Sequence, residues 1–383
     1  MKLTTLTPEK KKEWFQLARS ENVGPITFRN LINHFKSPDL AMEHIDDFAR
    51  RGGKGRPISL CTEQEADAEM ARVEEIGGRI LASCEPDYPE ALRKLEDAPP
   101  IITVLGEVSL LRRPSVAIVG SRNASLNGKN LTRRLAFDLA REDFVIVSGM
   151  ARGIDTAAHE GALTQQGGLG GTVAILGTGV DVVYPIENQE LYREIWQRGA
   201  ILSDFPLGTQ PHPGHFPRRN RLISGLALCT LVIEAQSRSG SLITAQYAKQ
   251  QGREVFAVPG SPLDARSEGP NELLKQGARL VSCAQDILEV LRDGQHEHFK
   301  DIFHDDDQMG LAVGADDSEV EKIRRLILEN LSPEKVCVDD LIRETRLPTA
   351  VVNVALIELE LAGRLERHPG NCVCLLAELP QGE

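Results

Sequence analysis

The sequence predicts an α/β protein: a parallel sheet in the middle of the chain, a helical domain before it, and a small unit of three helices and a hairpin after it. Three observations carry this. From Ser115 onward short apolar runs recur: SVAIVG, FVIVSG, GTVAILG, AILSDF, CTLVIEA, REVFAVPG and ARLV. Amphipathic stretches such as 126–142 and 241–251 lie between most of them, as in a parallel sheet covered by helices on both faces. The 383 residues also suit two to four domains at about 100–200 residues each.

The N-terminal domain, expected over 1–100, reads as helices. Trp14, Phe15, Leu17 and Ala18 are spaced for one buried face. Val23-Gly24-Pro25 then reads as a tight turn, with Gly24 supplying an unusual backbone angle and Pro25 opening a second helix over Ile26–Ile32. Such a turn fits either a helix-hairpin-helix, which offers N–H groups to a phosphate, or an αα-hairpin used only for packing. RGGKGRP at 51–57 is a loop, another helix covers about 62–77, and Asp97-Ala98-Pro99-Pro100 marks the boundary. The sheet domain is expected over 101–292.

Residues 293–318 are polar, acidic and unpatterned, and read as a linker. Over 319–383, helices near 319–330, 338–345 and 349–362 precede a hairpin turning at Pro369-Gly370-Asn371. Three helices and a hairpin outline a winged helix.

Composition narrows the function classes. Apolar residues make up 41% and charged residues 26%, as in ordinary globular chains. No long uncharged apolar stretch suggests a membrane span, and MKLTTLTPEKKKEWF lacks the apolar core of a secretory signal, so a cytoplasmic protein is expected. Seven scattered cysteines without a CxxC pair favour reduced thiols over a disulfide scaffold or a zinc ribbon. The net charge of −12 is uneven. Residues 1–113 carry 17 basic and 19 acidic side chains, residues 114–292 carry 18 and 17, and residues 293–383 carry 9 and 20. The middle can therefore hold a basic site although the whole chain is acidic.

Ligands of parallel sheets bind at the carboxyl ends of the strands, so the loops there are the places to search. The first ends in Gly120-Ser121-Arg122, where a close-approach glycine, a hydroxyl and a guanidinium precede a helix start. The second ends in Ser148-Gly149-Met150-Ala151-Arg152-Gly153-Ile154-Asp155. A dinucleotide fold needs GxGxxG after the first strand and an acid after the second; Gly120 stands alone in its turn and Ser148 takes the acid's place. Gly177-Thr178-Gly179 with Tyr184-Pro185 follows the third strand, as a phosphate-side loop or a plain connection. Asp155 and His159 lie four residues apart, as an acid–base pair or as a helix-start acid with a packed histidine.

The most informative segment is Gly214-His215-Phe216-Pro217-Arg218-Arg219-Asn220-Arg221. Arginines at a helix start oppose the helix dipole unless an anion is present. Phe216 suits stacking on a base, and the arginines suit successive phosphates. Ser239-Gly240-Ser241 opens another helix with hydroxyls and N–H groups, and Pro259-Gly260-Ser261 ends a further strand. Five strand ends with such turns along one sheet edge point to a polyanion. Only 17 aromatic residues are present, too few for a long stacking platform, so affinity should come from phosphates, with little sequence preference.

In order and content these loops resemble the DprA (Smf) family of DNA-processing proteins over about 115–282. The resemblance implies a Rossmann-like core, a SAM or helix-hairpin-helix-like domain before it and a winged helix after it. It also implies a protein without catalytic chemistry or cofactor, one that binds single-stranded DNA in natural transformation, loads RecA, displaces single-strand-binding protein and forms homodimers. The DNA site would fall on Gly120, Ser121, Arg122, Ser148, Gly149, Arg152, Gly214, Phe216, Arg218, Arg219, Asn220, Arg221, Ser239, Gly240 and Ser241. Some relatives carry a lysine in the loop before the phenylalanine; Pro213 stands there in this chain, and Arg218 offers a replacement charge. The core is more distantly similar to phosphoribohydrolases that use a PGGxGTxxE loop, but Thr244 occupies the glutamate's place. A nucleotide-binding scaffold is a third reading. The last helix, Thr349–Leu361, has no Arg or Lys and two glutamates, which makes it a poor reader of a DNA groove. Val351, Val354, Ala355 and Leu359 are expected to line its buried face.

Overall fold

The computed structural model describes residues 3–165, 171–294, 317–368 and 370–376. The expected linker over 293–318 and the hairpin residue Pro369 lie wholly or mostly outside the described residues. The described residues divide into two compact units, one drawn from 1–5 and 68–303, the other from 6–67 and 304–383.

Four helices open the chain: α1 (Pro8–Arg19), α2 (Pro25–Phe35), α3 (Pro38–Arg51) and α4 (Glu63–Glu75). Each of the first three starts on proline, whose missing N–H costs nothing in a first turn. The tight turn is made differently from expectation. Gly24 has ordinary extended backbone, and the left-handed residue is Asn22. A Cβ on Gly24 would come within 3.1 Å of Glu360 Oε1, so the glutamate side chain would have to give way by a few tenths of an ångström.

The sheet unit contains β1 (Gly78–Ala82), α5 (Glu90–Arg93), β2 (Ile101–Gly106), β3 (Ser115–Val119), α6 (Leu126–Arg141), β4 (Val145–Ser148), α7 (Ile154–Thr164) and β5 (Gly171–Ile175). It continues through α8 (Gln189–Arg198), β6 (Ala200–Ser203), α9 (His215–Leu226), β7 (Cys229–Val232), α10 (Gly240–Gln250), β8 (Glu254–Ala257), α11 (Glu268–Lys275), β9 (Arg279–Leu280) and α12 (Ala284–Gly294). The strand order is β1-β2-β6-β5-β4-β3-β7-β8-β9. From β6 to β9 every pairing is parallel; β1 and β2 add an antiparallel end. Sequence reading missed these two strands, which lie on both sides of the expected boundary at residue 100. The Pro-rich stretch between them is a connection inside the sheet unit.

Alternation along the strands builds a core on each face of the sheet. Ala117, Val119, Val145 and Val147 face α9, α10 and α11 through Leu222, Ala245 and Leu273. Val116, Ile118, Ile146 and Leu231 face α6, α7 and α12 through Leu135, Ala158 and Ile287. The chain runs from β3 to β6 in one direction, then returns to β7 on the other side of β3. The order thus reverses at β3 and β7, which in such sheets opens a crevice at the carboxyl ends.

The second unit ends in α13 (Asp317–Glu329), β10 (Val336–Cys337), α14 (Val338–Thr345), α15 (Thr349–Leu361), β11 (Leu365–His368) and β12 (Cys372–Leu375). The strands pair in the order β10-β12-β11, giving the winged-helix outline. The buried stripe of α15 is Val352, Ala355, Leu356 and Leu359. Val351 and Val354 are only partly buried, a correction to the expected face. The other side of α15 packs on the N-terminal helices. A Cβ on Gly52, just after α3, would sit 1.9 Å from the Glu358 carbonyl oxygen. Asn22 Nδ2 donates to the Leu361 carbonyl at 3.0 Å, and Thr27 bonds Glu360. Glu358, almost wholly buried, pairs with Arg324 at 2.8 Å.

Candidate nucleic-acid interface

The loops after β3, β4 and β5 and the start of α9 meet at a cavity of about 250 Å³. Its lining includes Arg122, Gly149, Arg152, Tyr184, Phe216 and Arg219. Phe216 is half-buried at its centre. The Arg122 guanidinium lies 5.4 Å from its ring centroid and that of Arg219 5.9 Å, within cation–π range. The Tyr184 ring is 5.5 Å away and tilted by 36°. Arg122 is exposed and makes no ion pair among the described residues, while Arg152 is exposed and 3.6 Å from Glu187. Free positive charge therefore stands above a partly buried aromatic surface.

Arg219 is built into the floor. Its Nη1 donates to the carbonyls of Gly149, at 2.7 Å, and Ile175; its Nε donates to Asn220 Oδ1 at 3.2 Å. Gly149 is required by this approach, because a Cβ there would lie 2.7 Å from the guanidinium. Burial lowers the Arg219 pKa to about 10 despite the pull of Asp155. Burial also pushes the Asp155 carboxyl up to about 6, against the attraction of Arg219 and the Ala151 N–H. His159 is packed rather than poised for acid–base work. It is fully buried with Nδ1 2.6 Å from Thr172 Oγ1, and burial brings it down to about 3.

The remaining candidates separate into distinct places. Arg221 is buried and pairs with Asp204 at 2.9 Å and with Asp97 at 3.3 Å. Burial opposes its charge, but the two carboxylates outweigh burial and raise its pKa. Arg218 is exposed, its guanidinium 5.1 Å from the Phe205 ring centroid. Asn220 Nδ2 donates to the Gly240 carbonyl at 3.2 Å, tying α9 to the Ser239-Gly240-Ser241 loop. Ser239 caps α10 and its hydroxyl lies 2.7 Å from that of Ser241. Gly240 faces open space, and Gly214 stands exposed at the start of α9. The Ser148 hydroxyl is buried and donates to the Ile118 carbonyl. Gly120 is packed against Ile154 and Glu234, and the Ser121 hydroxyl accepts from the Asn123 N–H.

Two groups escaped the sequence reading of the site. Tyr184 lies on a loop already singled out, and its aromatic type beside a glycine turn was the available signal. Glu234 gave no signal. It follows β7, and its carboxylate accepts from the Ser125 N–H at 2.8 Å and from the Ser125 hydroxyl, at the start of α6. This is where a dinucleotide fold holds a pyrophosphate. Here the chain supplies its own anion. A Cβ on Gly128 would lie 2.5 Å from Glu234 Oε1.

Fold and edge together define a Rossmann-like α/β protein with a basic, aromatic-bearing cavity, flanked by helix-hairpin-helix and winged-helix modules. The profile of DNA recombination-mediator protein A matches residues 79–292, that of the DprA-like N-terminal HHH domain 8–71, and that of the DprA winged helix domain 314–371. The chain belongs to the DprA (Smf) family. It is 31% identical over 394 residues to protein Smf of Synechocystis, covering 93% of this chain and 96% of the relative. DNA processing protein A of Streptococcus pneumoniae superposes with a TM-score of 0.60 at 34% identity, over 76% of this chain and 98% of that one. DNA processing protein A of Helicobacter pylori, studied for its single-stranded DNA binding mode, superposes with a TM-score of 0.51 at 32% identity, over 56% and 96%. No helix among the described residues is long and apolar enough to cross a membrane.

Proposed function

We propose that this chain is a non-catalytic, cytoplasmic single-stranded DNA-binding protein. It holds incoming strands at the carboxyl edge of its sheet and passes them to the RecA recombinase in transformation and recombination, displacing single-strand-binding protein and working as a homodimer. The observation that carries this reading is Phe216 flanked by Arg122 and Arg219 in an open cavity. A half-buried aromatic ring beside the free Arg122 guanidinium suits an unpaired base joined to phosphates, whereas a paired base keeps its faces stacked within the duplex. Within the proposed site, Arg122, Arg152 and Arg218 meet phosphates. Gly120, Ser121, Gly214, Gly240 and the Ser239 and Ser241 hydroxyls shape the path. Ser148, Gly149, Arg219, Asn220 and Arg221 hold the floor on which Phe216 stands. The Helicobacter pylori relative's single-strand binding supports the assignment. So does Thr244, buried where the phosphoribohydrolase glutamate is expected.

The test is an oligonucleotide titration at two salt concentrations, single-stranded against duplex, followed by RecA-driven strand exchange on strands coated with single-strand-binding protein. Preferential, salt-sensitive single-strand binding and faster exchange are expected. Equal affinity for duplex, or base release from nucleoside monophosphates, would overturn the proposal.

A further inference from the structure

The outer face of the small β10–β12–β11 sheet collects metal-ligating side chains. In the register of β11 and β12, Glu366 is opposite Cys374 and His368 opposite Cys372. Leu365 and Val373 turn into the core, so alternation puts Glu366, His368, Cys372 and Cys374 on the other face. Three of these converge. His368 Nε2 is 3.0 Å from Cys374 Sγ and 3.9 Å from Glu366 Oε2, and all three donor atoms lie within 4.8 Å of one another. Cys374 is buried, while Glu366 keeps an exposed flank through which an ion can enter.

We propose that Glu366, His368 and Cys374 form a three-ligand site for a zinc-class divalent cation that ties β11 to β12 in the wing. One thiolate, one imidazole and one carboxylate form a mixed donor set that suits zinc and is poor for calcium or magnesium, which take oxygen. The ligands come from both strands of a short hairpin, so one ion crosslinks it. Binding requires loss of the Cys374 proton to solvent and no redox step.

The test uses the full chain, reduced and stripped of metal, titrated with cobalt(II), whose thiolate complexes show a sulfur-to-metal charge-transfer band. One cobalt per chain is expected, displaced by zinc. Cys374→Ser should remove the band, and His368→Ala and Glu366→Gln should each weaken binding about tenfold or more. Cys283→Ser, at an exposed thiol of the sheet unit, should change nothing. Glu366 is exposed, so Glu366→Gln keeps the test valid should Cys374→Ser misfold. Zinc should also slow amide exchange over 365–376 in the parent chain and fail to do so in Glu366→Gln. No band in the parent chain, a band that survives Cys374→Ser, or affinity indifferent to Glu366→Gln would overturn the site.

Discussion

Gly149 has no side chain because the Arg219 guanidinium fills the space one would need. Gly149→Ala should therefore displace Arg219 and tilt Phe216, lowering single-strand affinity about tenfold, or about 1.4 kcal/mol. Fluorescence anisotropy with a short oligonucleotide reads this, and unchanged affinity would refute it. Asp155 behind Arg219 sets a pH dependence. Its folded pKa, near 6, lies above its unfolded value, so the folded state takes up a proton between about pH 4 and pH 6. The stability this gives is fully present below the unfolded pKa and is lost as pH rises through 6. The parent chain should gain about 1 kcal/mol over Asp155→Asn on going from pH 7.5 to pH 5. Chemical denaturation in a Trp14→Phe background, which leaves Trp196 to report on the sheet unit, measures the difference.

Helix α9 presents its arginines in two directions. Arg218 is exposed, while Arg219 and Arg221 are buried and already bonded. The sequence shows three arginines and one asparagine but not this division, because Asp97, which partners Arg221, is 124 residues away. Losing Arg122 or Arg218 should flatten the dependence of log affinity on log salt by about one unit each. Arg221→Ala should act on folding, costing about 3–5 kcal/mol, because the buried Asp204 carboxylate loses its 2.9 Å partner and keeps only the more distant Arg218 at 3.9 Å. Melting curves beside binding isotherms distinguish the two. The strand-end loops were legible because glycine, serine and arginine after apolar runs have a physical reason to be there. Strands β1 and β2 were not, because a Pro-rich turn between short runs reads equally well as a boundary.

At the scale of the whole chain, α15 packs with α2 and α3 within one unit, and so does not offer the free helix face that a groove-reading winged helix needs. With 20 acidic against 9 basic side chains, residues 293–383 also repel a phosphate backbone. Cutting at residue 300 would bare the apolar side of the N-terminal helices, and cutting at 115 would remove β1 and β2. A shortened chain of residues 68–294 avoids both. It should keep single-strand affinity within a few-fold of the full chain, and a tenfold loss in a folded fragment would return the unit of N-terminal helices and winged helix to the DNA site. Light scattering on the same fragment tests whether the sheet unit alone forms the proposed dimer.

Glu234 has a consequence for the protein in a living cell. A sheet of this type is a ready receptor for ATP and NAD. A carboxylate seated at the start of α6 acts as a permanent internal competitor. On this reading ATP and similar nucleotides are expected to find the start of α6 already occupied, while the cavity proposed for single strands stays open. Excess ATP should leave oligonucleotide binding unchanged in the parent chain and depress it in Glu234→Ala, a contrast that competition titrations would read directly.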